Sequence, residues 1–576
     1  MRDTLAVELR MPLSAPAPSR PVGTFLAREA LACVLTLAST TAACSGSARN
    51  PAGDEPGNHP AEVAAAAPYE PAGAVLPRLT TLQYQSSLRD LLGPDVPLLR
   101  TEADTNPYLF DSIGAASTTL SELGAEQYEL SAEAVTQHVF SDPARRAALL
   151  GCQPARPGDP CVRDYLSRFG RRAFRRPLTG AELARWTDVS IALAEPDLWE
   201  GVRLATAGML QSPYFLYRVE LGLPDPEHPS RRVLTDHEMA SRLSFFLWNT
   251  LPDEALLDAA DAGELHDESS IYHHAVRLLS DDRARDAIQR YFAQYLDLGR
   301  LEGIQRDPET YPLFTPSMKS AMRREVELLV DHVVQEGGDA RAIFSTRESF
   351  VSSELASLYG IDAPGATEST FVRATLPEER AGLLTLGAFL TMNAHETETS
   401  PTARGKYVRE RVLCQEVEPP PPDVSTTLEP ASGDAPATLR ERLEEHRKNP
   451  ACAGCHSFID PPGLLFEHFD SIGAYREHYP GPLAIDATGD LDGVPLDGAR
   501  DLADLLASDP RVGRCMVRQL FRHAHARRDE KGERPAIDDL TASFAAKGYD
   551  FRDLLLQLVT HESFRTLRAD PNEVSP

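Results

Sequence analysis

The chain has 576 residues, 42% hydrophobic and 25% charged, the balance of a soluble globular protein with room for roughly three to five domains. Its 58 basic and 86 acidic residues leave a formal net charge of −28. That excess argues against a nucleic-acid surface, which needs clustered positive charge, and suits a partner of opposite sign.

Residues 1–44 have the layout of an export signal. Arg20 and Arg28 supply positive charge, and Leu31 to Ala38 form an apolar core too short to span a bilayer. Thr41-Ala42-Ala43-Cys44 then resembles a lipoprotein cleavage box with Cys44 as the lipidated residue, although Thr41 stands where that pattern prefers leucine. Simple secretion is the alternative, a retained segment the third. Residues 45–75 are rich in Ala, Pro, Gly and Ser and read as a tether. No later run is apolar enough for a membrane helix, so any membrane attachment is through a lipid anchor only.

Helical periodicity dominates the remainder. The spacing predicts a helix over 80–92 with Thr80 as its cap, then helices over 122–140 and 161–172. Thr179 with Glu182 forms a capping-box pattern for 180–194. A helix over 200–211 follows. Thr235 with Glu238 opens another over 236–249, and Pro252-Asp253-Glu254 starts the next. Three more stretches lie within 270–335. The aromatic run Phe245 to Trp248 follows helical packing and reads as core. Strands are scarce, the best being a hairpin near 483–495. Pro419 to Pro422 and the polar residues up to 437 read as a linker between an N-terminal helical body and a further module, which begins with helix 438–448.

Because Cys452-Ala453-Gly454-Cys455-His456 matches the attachment signature of a c-type haem, the expected fold class is mainly α: a multi-domain helical body, a small cytochrome-c-like haem module and a C-terminal helical domain. The boundaries are 1–44 for the signal and 45–75 for the linker. Helical domains then cover 76–150, 151–225 and 226–370. The haem module takes 371–498, including the Pro-rich linker 419–437, and the last helical domain 499–570.

The haem assignment rests on Cys452-Ala453-Gly454-Cys455-His456. Cys-x-x-Cys-His is the attachment signature of a c-type haem. Cysteines three apart lie about one helical turn apart and face the same way, and the next histidine can reach the iron. The expectation is one covalent haem c on Cys452 and Cys455 with His456 as proximal ligand. The alternatives are a disulfide, an inert thiol pair, or zinc, which would want a second Cys or His pair.

His446, His395, Met392 and Met516 are the candidate sixth ligands, beside a position without a protein ligand. Arg404 is the candidate partner of a haem propionate, because a guanidinium binds carboxylates bidentately, with Arg476 a weaker one. Asp460 is read as capping a turn before Pro461-Pro462 rather than orienting His456. Of the eight cysteines, Cys152 and Cys161 flank a Pro/Gly-rich loop suited to a local disulfide in an oxidising compartment. Cys414 and Cys515 are the candidate long-range pair. The acidic, glycine-containing stretch 486–493 reads as a turn before a calcium loop. The Arg171-Arg172/Arg175-Arg176 run reads as a helix face or ion pairs. There is no Ser-His-Asp signature, phosphate-cradling loop or dinucleotide fingerprint.

Several strings taken together resemble one family. They include Arg78-Leu79-Thr80 with Arg89 to Gly93, Ala173 to Leu178, Leu210 to Arg218, and Ala240 to Trp248. The haem region adds Ser400-Pro401, Arg404-Gly405, His446-Arg447, Pro450 to His456, Asp460-Pro461, Gly463, Glu467, Phe469-Asp470 and Gly473. The resemblance is to the multi-domain, cytochrome-c-bearing family of planctomycetes and myxobacteria, whose domains have no assigned function. It covers about 76–570, with Pro462 departing from the more usual aliphatic residue. It implies an exported haem protein and supplies no substrate.

The functional expectation is an exported c-type haem protein of the cell envelope, periplasmic or anchored at the outer membrane. Its haem passes single electrons to or from an envelope redox partner. The alternatives are a haem-dependent, peroxidase-like redox enzyme and an envelope scaffold with an accessory haem module. Whether it is an enzyme, and its oligomeric state, are left open by the sequence.

Overall fold

Capping residues start the helices where the sequence places them. Thr80, Thr179, Thr235 and Thr438 each accept a hydrogen bond from the backbone of the residue three places on, and that residue's side chain answers to the threonine N–H. The helices they open are Thr81–Leu92, Gly180–Ala192, Asp236–Trp248 and Leu439–Arg447. This computed structural model describes residues 68–195, 197–419, 438–479, 481 and 483–570. The signal with Cys44 and most of the segments 45–75 and 419–437 lie outside the described residues. Among the described residues there are twenty-four α-helices and three small antiparallel sheets, a mainly α fold, and no helix is long and apolar enough to cross a membrane.

Two apolar cores organise the helices. The first joins Tyr84, Tyr128, Tyr165, Phe169 and Met209 and is closed by Phe245 and Leu251. The second runs without interruption from Phe110 and Ile113, through the helices between 234 and 413, to Leu558 and Phe564. The boundaries at 370 and 498 therefore divide the chain and not this core. One sheet, ordered Leu223–Pro224, Arg231–Val233, Thr566–Arg568, pairs Arg232 with Leu567 and pins the C-terminal segment to the middle of the chain. Disulfides close Cys152 on Cys161 and tie Cys414 to Cys515 on the helix Pro510–His525.

The basic run is absorbed internally. Arg171 pairs with Glu254, Asp258 and Asp261, and Arg176 with Glu182. Arg175 is buried and donates to the carbonyls of Phe215, Tyr214 and Tyr217. The acidic stretch near 490 is the turn of the hairpin Thr488–Leu491/Val494–Asp497, where Asp490 accepts from the Gly493 N–H at 2.9 Å. Asp492 pairs with Arg409 and Arg511.

A buried polar network fixes the last third to the body. Glu325 accepts from the Ser349 and Tyr359 hydroxyls at 2.7 and 2.6 Å, and Tyr359 accepts in turn from the Gly387 N–H at 2.8 Å. Arg380, fully buried on the rings of Tyr359 and Phe469, donates to the carbonyls of Thr385 and Gly473.

A tight helix crossing lies beside the Cys-x-x-Cys-His motif. The motif sits in the helix Pro450–Leu464, which crosses the helix Pro401–Tyr407. A Cβ on Gly405 would overlap the Ile459 carbonyl oxygen, and one on Gly463 would overlap that of Pro401. Only glycine allows backbones to approach so nearly. The motif helix also continues through Pro461 and Pro462, where a turn was expected. Proline at 462 cannot donate to the Phe458 carbonyl. The buried Arg409 replaces that donor, with its Nε 3.0 Å from the Phe458 oxygen and its guanidinium over the Phe458 ring.

Gly463→Ala should cost about 1–3 kcal/mol in denaturant unfolding because the crossing has no room for a methyl group. Gly454→Ala, whose Cβ would meet nothing within 4 Å, should instead gain about 0.5–1 kcal/mol from helix propensity. Glu325 gives a pH dependence: burial pushes its carboxyl up to about 7 from the ordinary 4.5. Because its folded value is raised, the linked stability is full below pH 4.5 and is lost as pH rises through about 7. Thermal unfolding between pH 5 and 8 should show this fall, at most about 1.4 kcal/mol per pH unit, and Glu325→Gln should flatten it.

Candidate functional site

The site is built on one helical turn. Asn449 caps the motif helix by accepting from the Ala451 N–H at 3.0 Å, and Pro450 takes the first helical position, where no N–H is needed. Cys452 and Cys455 follow one turn apart. Both are free thiols, Cys452 buried and Cys455 exposed, while Cys152, Cys161, Cys414 and Cys515 are disulfide-bonded. Gly454 between them leaves the outer face of the turn open.

His456 is held by a carboxylate. Its Nδ1 lies 3.1 Å from both oxygens of Asp460, one helical turn on. Asp460 is fully buried and also accepts from the Thr402 hydroxyl at 2.8 Å, so the neighbouring helix fixes it in turn. Asp460 therefore does not cap a turn. The two prolines do not end the helix, and its carboxylate stays on the face shared by residues i and i+4. With Nδ1 engaged, Nε2 of His456 has no hydrogen-bond partner among the described residues. Nearby, His446 on the helix Leu439–Arg447 meets His456 edge to face at 4.6 Å between ring centroids. Burial, and then the His456 ring, hold His446 below the usual histidine range.

Arg404 has a different task from the one the sequence suggested. It is fully buried and donates to the carbonyls of Phe466, Phe469 and Asp470 at 2.8, 3.0 and 2.8 Å, with the Glu467 carboxylate at 3.7 Å. Burial pulls its guanidinium down to about 10. Both terminal nitrogens are engaged by the backbone just past the motif helix, while Nε has no hydrogen-bond partner; buried in this way, Arg404 is a structural clamp rather than an open site for a propionate. Glu467 completes the clamp by accepting from Thr399 and Tyr479 at 3.0 and 2.8 Å. Arg476 leans on Tyr479 and lies 3.8 Å from Glu467.

The other sequence candidates are dispersed. Met392 and Met516 are buried in the second core. His395 is exposed in the tight turn between Ala394 and Thr399. Only His446 is brought against His456, and their rings are in contact, with no space for a macrocycle between them. No group of three or more metal-ligating side chains gathers among the described residues. Sequence reasoning missed Thr402 and the role of Asp460. The signal for Asp460 was the i,i+4 spacing from His456. Thr402 carried no signal beyond its place between Pro401 and Arg404.

The motif, both clamping helices and Glu467 lie within one match to a family model described as a protein of unknown function (DUF1588), residues 380–479. Four more models with the same description match in order: DUF1587 at 78–141, DUF1595 at 161–220, DUF1592 at 234–361 and DUF1585 at 492–564. No curated protein and no solved structure matches the chain. From residue 78 to residue 564 the chain is thus built from the five domains of unknown function of the planctomycete cytochrome-c-associated family.

Proposed function

We propose that this is an exported c-type haem protein of the cell envelope that passes single electrons through one covalent haem. The observation that carries the reading is His456, fixed through Nδ1 by a buried carboxylate beside two free thiols one turn apart. Metal-binding histidines are commonly oriented this way, since the second nitrogen's partner fixes tautomer and ring direction. The residues fit the group. Cys452 and Cys455 would supply the thioethers and Nε2 of His456 the iron ligand, and the open face at Gly454 gives access for attachment.

When bound, a haem supplies a reversible one-electron couple. The chain's own part is to keep the donor rigid. Asp460 holds His456, Thr402 holds Asp460, and the glycine-to-glycine crossing prevents either helix from sliding. A formal charge of −28 favours encounter with a basic electron donor or acceptor in the envelope. In this reading the signal at 1–44 places the protein outside the cytoplasm, through a lipid on Cys44 or by secretion.

A peroxidase-like redox enzyme is the second reading. Its support is the scatter of Met392, Met516 and His395, which leaves His446 as the one candidate ligand near His456, on contact with it.

Expression with a cytochrome c maturation system should give haem that survives acid–acetone extraction and a pyridine haemochrome. Reduction should give sharp low-spin bands. A high-spin spectrum that shifts with cyanide would move the assignment to the enzyme, and absence of covalent haem overturns both. Cys455→Ala should lose at least one thioether, visible as a shifted haemochrome band, without unfolding the body.

A further inference from the structure

The motif requires only two cysteines and a histidine, yet a fully buried carboxylate stands behind that histidine. Both oxygens of Asp460 lie 3.1 Å from Nδ1, and the Thr402 hydroxyl donates to the same carboxylate at 2.8 Å. Arg404, a fully buried cation on the crossing helix, turns its terminal nitrogens to three backbone carbonyls and lies 3.7 Å from Glu467. Among the described residues Asp460 forms no ion pair with an arginine or lysine; its partner across the turn is the His456 ring. A buried carboxylate is costly unless it is paired and hydrogen-bonded, and Asn would fill the same space as a neutral group with one accepting oxygen in place of two.

We infer that Asp460 is a positioning residue that makes His456 an electron-rich ligand and holds the haem couple at low reduction potential. The inference rests on the haem reading proposed above. The sign follows from charge. Ferric iron carries one more positive charge than ferrous iron, so a nearby anion, acting through the His456 ring, stabilises the ferric state. Donation of the Nδ1 proton toward the carboxylate also raises the basicity of Nε2, which works in the same direction. In the step concerned, one electron from an external reductant converts ferric to ferrous iron, and no bond is made or broken. The carboxylate disfavours that gain, so the site is poised to give electrons up. Thr402 keeps the carboxylate aligned and takes a share of its charge.

The test is a redox titration of the full haem-loaded chain with dithionite and mediators, beside Asp460→Asn and Thr402→Val. Haem loading of each protein is checked by pyridine haemochrome. Asp460→Asn keeps the shape and removes the charge. It should change the ferric-to-ferrous ratio at a fixed potential at least tenfold toward ferrous, a rise of about 59 mV or more for a one-electron couple. Thr402→Val leaves the carboxylate one donor short, concentrating its charge on His456, and should move the midpoint the opposite way by a smaller amount. Should Asp460→Asn fail to fold, that downward shift carries the test. Midpoints unmoved in variants with full haem content would make Asp460 a packing residue and overturn the inference while leaving the haem reading intact. A wild-type chain without covalent haem would overturn both, and the haemochrome assay registers that separately.

Discussion

The crossing of the helices Pro401–Tyr407 and Pro450–Leu464 is the constraint on which the site depends. Two glycines, Gly405 and Gly463, each face a backbone carbonyl of the opposite helix at a distance that admits no side chain. Contact this close fixes both spacing and rotation, because the ridges of one helix have no freedom in the groove of the other. Thr402 then reaches Asp460, and Asp460 reaches His456. A third backbone joins them: Gly489 of the hairpin faces the Pro461 carbonyl, again without room for a Cβ. The motif helix is therefore gripped from two sides along its second half, while its first turn, with Cys452 and Cys455, projects from the grip.

Buried arginines serve this architecture in an unusual way. Arg175, Arg380, Arg404 and Arg409 are each at most 4% exposed, and each spends donors on main-chain carbonyls. A planar guanidinium offers five N–H groups in a fixed fork, which suits it to segments where several carbonyls converge without helical or strand partners. Leaving such carbonyls unsatisfied inside the protein would cost about as much as losing a hydrogen bond for each. Arg409 shows the logic most clearly, since it stands in for the donor that Pro462 removed. The family-like strings Arg404-Gly405 and Asp460-Pro461 with Gly463 thus describe a packing device.

Local signals were legible in the sequence and long-range ones were not. The threonine caps, with Gln83, Glu182, Glu238 or Glu441 three places on, are interactions within four residues, and they set the helix starts. The Cys-x-x-Cys-His turn and the hairpin near 490 are equally local. Pro461-Pro462 misled because the residue before a proline disfavours helix in an isolated chain. Here tertiary contacts, with Arg409 among them, override that preference. Arg404 misled for a related reason: an arginine near a candidate cofactor site looks like an anion partner until the carbonyls of residues 466, 469 and 470 are folded around it. The core that joins Phe110 and Ile113 to the helices between 234 and 564 was hidden too, since polar linkers such as 423–437 mark breaks in the sequence and say nothing about which faces pack together.

The same geometry explains why so large a body accompanies so small a motif. The helix Leu439–Arg447 contributes only Leu439 and Leu443 to a small cluster with Leu464 and Tyr479, too little apolar surface to hold the motif helix alone. Rigidity comes instead from the clamp of Arg404 and Glu467 and from the anchor of Arg380 on Gly473, which lead back to Tyr359 and Glu325 in the body. A ligand histidine that must keep its orientation through repeated changes in the charge of its metal benefits from such a chain of buried contacts. Each link resists the reorganisation that a change of charge would otherwise drive. On the haem reading, the helical body is then the frame that keeps His456 and Asp460 in register, and docking is a second use of its acidic surface.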